Sequence, residues 1–425
     1  MREPPPRLKR SRAAGPWQSP GMAGDAQADA REFVVELGVA LHRAGTPAHR
    51  LERALAKVAR HLGEPAQVFT TPTQLLVAFG PLRDQRPVMV RVQPGDVDLG
   101  KLEALDAVAD EVVAGDLDVA AGLARVRAIA GARPRFGRLA TLVAFAATSA
   151  AVARFFAGGV PEIATSGAIG LAIGALAIAT TRTVAGAHVF ELLASLVAGA
   201  AAALAAHAGA GASAQITTLA GLIVLVPGFT LTVAMHELAT RNLVSGTARL
   251  TAAGISFLEI GFGVTLGTLA VTRALGPTPP ARGAPLPDWT EPVALVVAAI
   301  AIAVLFHARP RAMPGIVVAC AAAFYGARLG AWLVGPELGA SVGAFVVAAG
   351  SNLWARRTDR PAMVPLVPGL LLLVPGSLGF RSLTSLVQRD VIAGVDTAFA
   401  MALVAMSLVA GLLLAHAAVP PRRSL

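Results

Sequence analysis

The sequence predicts a polytopic α-helical membrane protein. About ten transmembrane helices form two inverted five-helix repeats, preceded by a small cytoplasmic α/β domain. Three observations carry this expectation. Of 425 residues, 55% are hydrophobic and only 15% charged, with a mean hydropathy of +0.64. A water-facing surface needs more charge than that. From Gly137 onward, apolar runs follow one another, each near the roughly 20 residues a membrane helix needs. Finally, one eight-residue spelling recurs, as GLIVLVPG over Gly221–Gly228 and GLLLLVPG over Gly369–Gly376.

The elements follow in chain order. Residues 1–25 are rich in Pro, Arg and Gly with no apolar run behind the basic residues, so they read as a disordered tail rather than a signal peptide. Residues 26–131 read as the soluble domain. REFVVELGVALHRAG places Phe33, Leu37, Ala40 and Leu41 at helical spacing. TPAHRLERALAKVARHLG opens with Thr46 as expected N-cap and Pro47 at the first helical position, and closes at Gly63. AQVFTT, QLLVAFG and PVMVRV read as strands. Two more helices follow, with Asp98 and Asp116 as expected N-caps. Membrane helices are expected near 138–157, 162–181, 187–207, 214–235 and 251–273, then 291–308, 314–334, 336–354, 362–380 and 394–417. The Pro-rich stretch centred on 274–290 divides repeat 1 (138–273) from repeat 2 (291–418).

Charge placement sets the expected orientation. With the soluble domain in the cytoplasm, fifteen arginines of the flanking and connecting segments fall inside; five, Arg154, Arg273, Arg282, Arg381 and Arg389, fall outside. The net charge of +10 is accounted for by this topology, since the arginines sit singly between apolar stretches. No basic face for nucleic acid is formed. A single cysteine, Cys320, excludes an intramolecular disulfide or a Cys cluster.

The repeat extends beyond eight residues. Thirteen positions after Gly228 and Gly376 come RNLVSG (Arg241–Gly246) and RDVIAG (Arg389–Gly394). Upstream, RTVAGAHVFELLAS from Arg182 is echoed by RLGAWLVGPELGAS from Arg328. Coincident Arg, Glu, Pro and Gly at nearly one offset mark two copies of one unit. An odd number of spans per copy inverts the second copy, the arrangement of secondary transporters. Pro227 and Pro375 each remove a backbone donor, and the adjacent Gly228 and Gly376 loosen the helix. Such breaks inside a bilayer are tolerated where they are buried in protein or line a wet cavity.

The quoted segments resemble the threonine/serine exporter family. AGTPAHRLERALAKVARHLG and TPTQLLVAFG are similar to its soluble N-terminal domain; LVPGFTLTVAMHELATRNLVSGTARL and LVPGLLLLVPGSLGFRSL resemble its two membrane halves. The resemblance implies export of small hydroxy amino acids from the cytoplasm across the cell membrane, driven by the proton motive force, with no cofactor and no enzymatic step. Some relatives are associated with dicarboxylate export, which stands as the alternative substrate class.

Pro227, Gly228, Pro375 and Gly376 are the expected substrate lining, with Arg241 and Arg389 as carboxylate-orienting or merely topology-setting residues. Glu191 and Glu337, related by the repeat, and Glu259, deep in its helix, are the expected proton carriers. The plain alternative for the first two is an interfacial Glu paired with Arg182 or Arg328. His188 shares a helical face with Glu191. His236–Glu237 begins like a zinc-protease helix, but Thr240 stands where the second histidine belongs, so no metal is expected. His49, Glu52 and His61 read as a solvated helix face rather than a hydrolytic site, because no nucleophile motif accompanies them. No GxxxxGK[ST] phosphate loop is present. The expected partners are an amino-acid substrate, protons and the lipid bilayer, with a homo-oligomer left open. The rivals in another class are a membrane-anchored hydrolase and a sensor working through the N-terminal domain.

Overall fold

The computed structural model describes residues 20–180, 183–209, 211–281 and 283–421. Residues 1–19 of the expected tail, and Arg182, Arg282, Arg422 and Arg423, lie outside the described residues.

An N-terminal unit comes first. Helices α1 (Pro20–Arg43) and α2 (Ala48–His61) precede strands β1 (Ala66–Thr71), β2 (Gln74–Phe79) and β3 (Arg86–Arg91), followed by α3 (Leu99–Ala114) and α4 (Val119–Gly131). The strands form an antiparallel meander in the order β1-β2-β3, with Ala66 opposite Phe79 and Gln74 opposite Arg91. Alternate residues of β2, Leu75, Val77 and Phe79, are buried against Phe33, Leu37 and Leu41 of α1 and Leu51 and Leu55 of α2.

Two expected caps are corrected. Asp98 does cap α3, accepting from Lys101 N at 2.8 Å. Asp116 does not cap α4; Asp118 does. Gly115 turns left-handed at the end of α3, and the amides of Asp116 and Leu117 bond back to Glu111 O, so the chain is still leaving α3 at Asp116. Thr46 does not cap α2 either. Pro47 occupies that position without a side-chain bond, and Thr46 Oγ1 has no partner. The Ala48 amide donates instead to Glu237 Oε1 at 3.2 Å, from a helix 189 residues away.

The remaining chain is helical: α5 (Arg138–Phe155), α6 (Val160–Thr180), α7 (Val184–His207), α8 (Ala214–Leu222), α9 (Gly228–Ala239) and α10 (Leu243–Leu275), then α11 (Thr290–Leu305), α12 (Met313–Val334), α13 (Pro336–Thr358), α14 (Met363–Leu371), α15 (Gly376–Val387) and α16 (Val391–Ala418). Among the described residues, eight stretches are long and apolar enough to cross a membrane: α5, α6, α7, α10, α12, α13, α16 and Met363–Val387, which holds α14 and α15. Of the other expected spans, α11 is a shorter apolar helix of 16 residues, and 214–235 is divided into α8 and α9. Large apolar side chains such as Val189, Phe262, Trp332, Ile392 and Phe399 are exposed on these helices, as a lipid-facing surface requires. The chain is a polytopic helical membrane protein.

The two halves share backbone detail that residue type does not dictate. Among the described residues, the non-glycines with left-handed φ include Ala157 (59°) and His307 (51°), and Arg241 (64°) and Arg389 (66°), at matching places in the two halves. Asp359 (58°) answers Gly209 (76°). Pro227 (φ −78°, ψ 37°) and Pro375 (φ −81°, ψ 33°) adopt nearly one conformation ahead of α9 and α15.

The N-terminal unit sits on the helical part through α2 and α3. Leu99 and Leu102 are buried with Leu295, Ala299, Ile316 and Met363. Leu99 N donates to Phe306 O at 2.9 Å. Glu103, 5% exposed, receives Arg311 at 2.9 Å, with Arg309 and Arg360 each at 3.6 Å. Removing that carboxylate leaves three arginines facing one another. Glu103→Gln should raise the undocked population roughly tenfold, for a charged hydrogen bond worth about 1.5 kcal/mol. Limited trypsin digestion, followed after Arg91 and Lys101, measures it; cleavage at the wild-type rate would mean the cluster does not hold the unit.

Candidate functional site

Pro227 and Pro375 interrupt two apolar stretches, and α9 and α15 restart at Gly228 and Gly376. All four residues are buried. The two restarts touch. A Cβ on Gly228 would lie 2.9 Å from Gly376 N and 3.0 Å from its Cα; a Cβ on Gly376 would lie 2.6 Å from Val226 Cγ1. Only glycine at both positions permits this approach. The opening amides of a helix have no intrahelical acceptors, and each N-terminus carries about half a positive charge. The crossing therefore favours an anion and disfavours a cation.

A chamber runs along α9 away from the crossing. Phe229, Thr232, Val233 and His236, at positions i, i+3, i+4 and i+7, line one side of a cavity of about 50 Å³. Met363, Leu366, Val367 and Leu370 of α14 and Leu412 and His416 of α16 line the other sides. Pro47, His49 and Arg50 of α2 close it. The His49 and His236 ring centroids are 4.8 Å apart, and His236 and His416 are 6.3 Å apart. Both ring nitrogens of His49, Nδ1 of His236 and Nε2 of His416 are buried without hydrogen-bond partners. Burial pushes His49 down to about 2, aided by the positive field of His236, Arg50, Arg53 and His416, so the ring is neutral at pH 7. Arg50 is 7% exposed and forms no ion pair among the described residues. Burial, with Arg53 nearby, pushes it down to about 10, which leaves it charged. The adjacent Glu237, fully buried, is engaged by Ala48 N and by Arg249 Nε at 3.1 Å. Among the described residues no group of three His, Cys, Asp or Glu is arranged to hold a metal ion.

The expectation of a solvated face on α2 is corrected at His49. That residue is 9% exposed because its helix docks onto α9. Glu52 is bound to Thr70, accepting from its N at 2.8 Å and its Oγ1 at 3.1 Å, while His61 is exposed. Arg50 and His416 carried no signal in the sequence reading. The available pointer was His236–Glu237, two ionisable residues in an apolar helix.

The expected proton carriers separate. Helices α7 and α10 bring Glu191 beside Glu259, and Ser256 donates its hydroxyl to Glu191. Glu259 also lines a cavity of about 570 Å³ with Leu192, Ile255, Leu258, Phe262, Thr265, Leu383 and Val387. Glu337 lies apart, half-buried in the first turn of α13. Arg328 does not pair with it; both oxygens of Glu291 take Arg328 Nη1 at 2.8 Å. Arg241 and Arg389 are exposed in left-handed turns at the far ends of α9 and α15, about 18 Å of helix from the crossing.

Comparison with known proteins adds the following. A family model for threonine/serine exporters matches residues 32–270, and a second, for the threonine/serine exporter ThrE, matches residues 291–418. The chain is similar to the pheromone-regulated membrane protein 10 of Eremothecium gossypii, at 27% identity covering 82% of this chain and 48% of that protein. That of Debaryomyces hansenii is 26% identical, covering 87% and 37%, and that of Saccharomyces cerevisiae 27%, covering 82% and 46%. The chain thus spans less than half the length of these relatives. No solved structure matches it.

Two outcomes are expected. A docked His49 stays neutral down to about pH 2, whereas an undocked one takes up a proton near its ordinary value of 6.5. Docking is therefore strongest above pH 6.5 and weakens as pH falls through it. Between pH 7.5 and 5.5 the loss is about 1.4 kcal/mol, or roughly tenfold. Amide exchange over Ala48–His61, corrected for intrinsic rate, should show that change in wild type and a flat profile in His49→Asn. Separately, Gly228→Val forces side-chain atoms into the Gly376 backbone. It should cost about 1–3 kcal/mol, read as a lowered Tm in detergent.

Proposed function

The chain belongs to the threonine/serine exporter family, and we propose that it is a secondary transporter exporting threonine, serine and similar small hydroxy amino acids from the cytoplasm, driven by the proton motive force. The observation that carries this reading is the contact between the two helix restarts at Gly228 and Gly376. Two interrupted helices meeting inside an apolar bundle supply what a carrier needs, a polar backbone site held by both halves.

On this reading α8–α9 and α14–α15 each act as one interrupted span, and α11 crosses despite its length. That makes ten spans in two inverted copies. The paired left-handed turns and matching proline conformations support the repeat. The arginine asymmetry supports a cytoplasmic N-terminal unit. Alternating access is then a rocking of one copy against the other about the crossing. Glu191 and Glu259, brought together by α7 and α10, are the proposed proton carriers.

The test is efflux from proteoliposomes loaded with labelled threonine, serine or succinate under an imposed proton gradient. Wild type should release threonine and serine in a gradient-dependent way. Pro227→Ala/Pro375→Ala, with unchanged elution in gel filtration, should lose at least tenfold in rate, because two continuous helices close the crossing. Release of succinate alone would replace the substrate class, and gradient-independent threonine release would remove proton coupling.

A further inference from the structure

We propose that the chamber enclosed by α2, α9, α14 and α16 is a binding site for the carboxylate group of a small solute, with Arg50 supplying the charge and His49, His236 and His416 the ring N–H donors. As a station on an export route this rests on the transport reading above; as a binding site it does not.

The argument begins with an uncompensated charge. A buried guanidinium needs an anion, because desolvating it alone costs several kcal/mol. Arg50 is 7% exposed, and the described residues give it no carboxylate partner. Glu237, the acidic residue one position from His236, is already engaged by Ala48 N and Arg249. Around Arg50 stand three imidazoles with buried, unpartnered ring nitrogens. A neutral imidazole offers one N–H and one acceptor, so three of them can each turn a donor toward one anion. Three imidazoles with unpartnered ring nitrogens and a guanidinium without a carboxylate, from three separate helices, face one cavity that an anionic ligand would complete.

The ligand class follows from size and charge. A cavity of about 50 Å³ admits a carboxylate on a short carbon stem, or a few waters, each needing about 10–15 Å³. Arg50 supplies the one fixed positive charge of the chamber. One carboxylate balances it, whereas a phosphate dianion leaves a surplus charge among Phe229, Leu366, Leu370 and Leu412. The planar guanidinium matches a carboxylate in a two-pronged geometry. The remaining walls are apolar, which suits a short carbon stem. The crossing at Gly228 lies one turn of α9 from Thr232, so a solute held here by its carboxylate stands next to the helix break.

The full chain in nanodiscs tests this by calorimetric titration with acetate and threonine. Acetamide and threoninamide serve as probes of like shape without the carboxylate. The expected result is that the carboxylates bind and the amides do not. Arg50→Gln should weaken binding at least tenfold and His236→Asn several-fold, while Arg50→Lys, which keeps the charge, stays within about tenfold of wild type. Equal binding of threonine and threoninamide, or wild-type affinity in Arg50→Gln, overturns the proposal. If Arg50→Gln does not fold, the acid–amide comparison on wild type decides alone. Carboxylate binding that depends on Arg50 without vesicle flux would keep the site and remove transport. Flux with an unchanged KM in Arg50→Gln would keep transport and remove the site.

Discussion

A helix interrupted within an apolar layer exposes amides and carbonyls that lipid cannot satisfy, and the rest of this fold depends on where those groups are hidden. The chain hides them against each other. Gly228 lies so close to the Gly376 backbone, and Gly376 so close to Val226, that a side chain at either position would clash. This contact fixes the relative placement of the two halves, and through α9 and α15 it fixes where α10 and α16 begin. It also explains why the recurring spelling ends in Pro-Gly. Proline stands at the N-cap of the new helix, and glycine lets that helix begin against its counterpart.

The backbone of the two halves is alike, but their chemistry is not. His236 and Glu237 of α9 correspond to Thr384 and Ser385 of α15. The N-terminal unit docks against the half-helix that carries the ionisable pair, and Glu237 supplies the cap that α2 cannot find locally. Side-chain divergence between α9 and α15 thus goes with the docking of the N-terminal unit on α9.

Much of this was legible in the sequence, and the gaps have definite causes. Helix and strand periodicity located the elements of the N-terminal unit, because each buries one face of a small core. The recurring spelling stood out because Pro, Gly, Arg and Glu are rare enough in an apolar alphabet for coincidences to count. The cap of α2 was misread at Thr46 because its true partner is remote in sequence, and local capping rules cannot see a tertiary acceptor. His49 was assigned to solvent for the same reason. An amphipathic helix announces a polar face, but not whether water or another helix meets it. Arg328 was offered to Glu337 on sequence proximity, whereas α11 packing against α12 delivers Glu291.

Two of those misreadings, at Thr46 and His49, fall at one place, the seam between α2 and α9, and that coincidence has a physical meaning. Groups at a seam are chosen for the docked state, so they violate local rules on both sides. Here the seam is also the wall of the chamber, since His49 and Arg50 come from the docked unit and His236 and His416 from the helical bundle. Any solute touching both sets of residues stabilises docking by its own binding energy, and docking in turn raises affinity for the solute by the same factor. The N-terminal unit is then more than an attached domain. On the proposed site it supplies half of a binding surface, and occupancy of that surface sets how firmly the unit is docked.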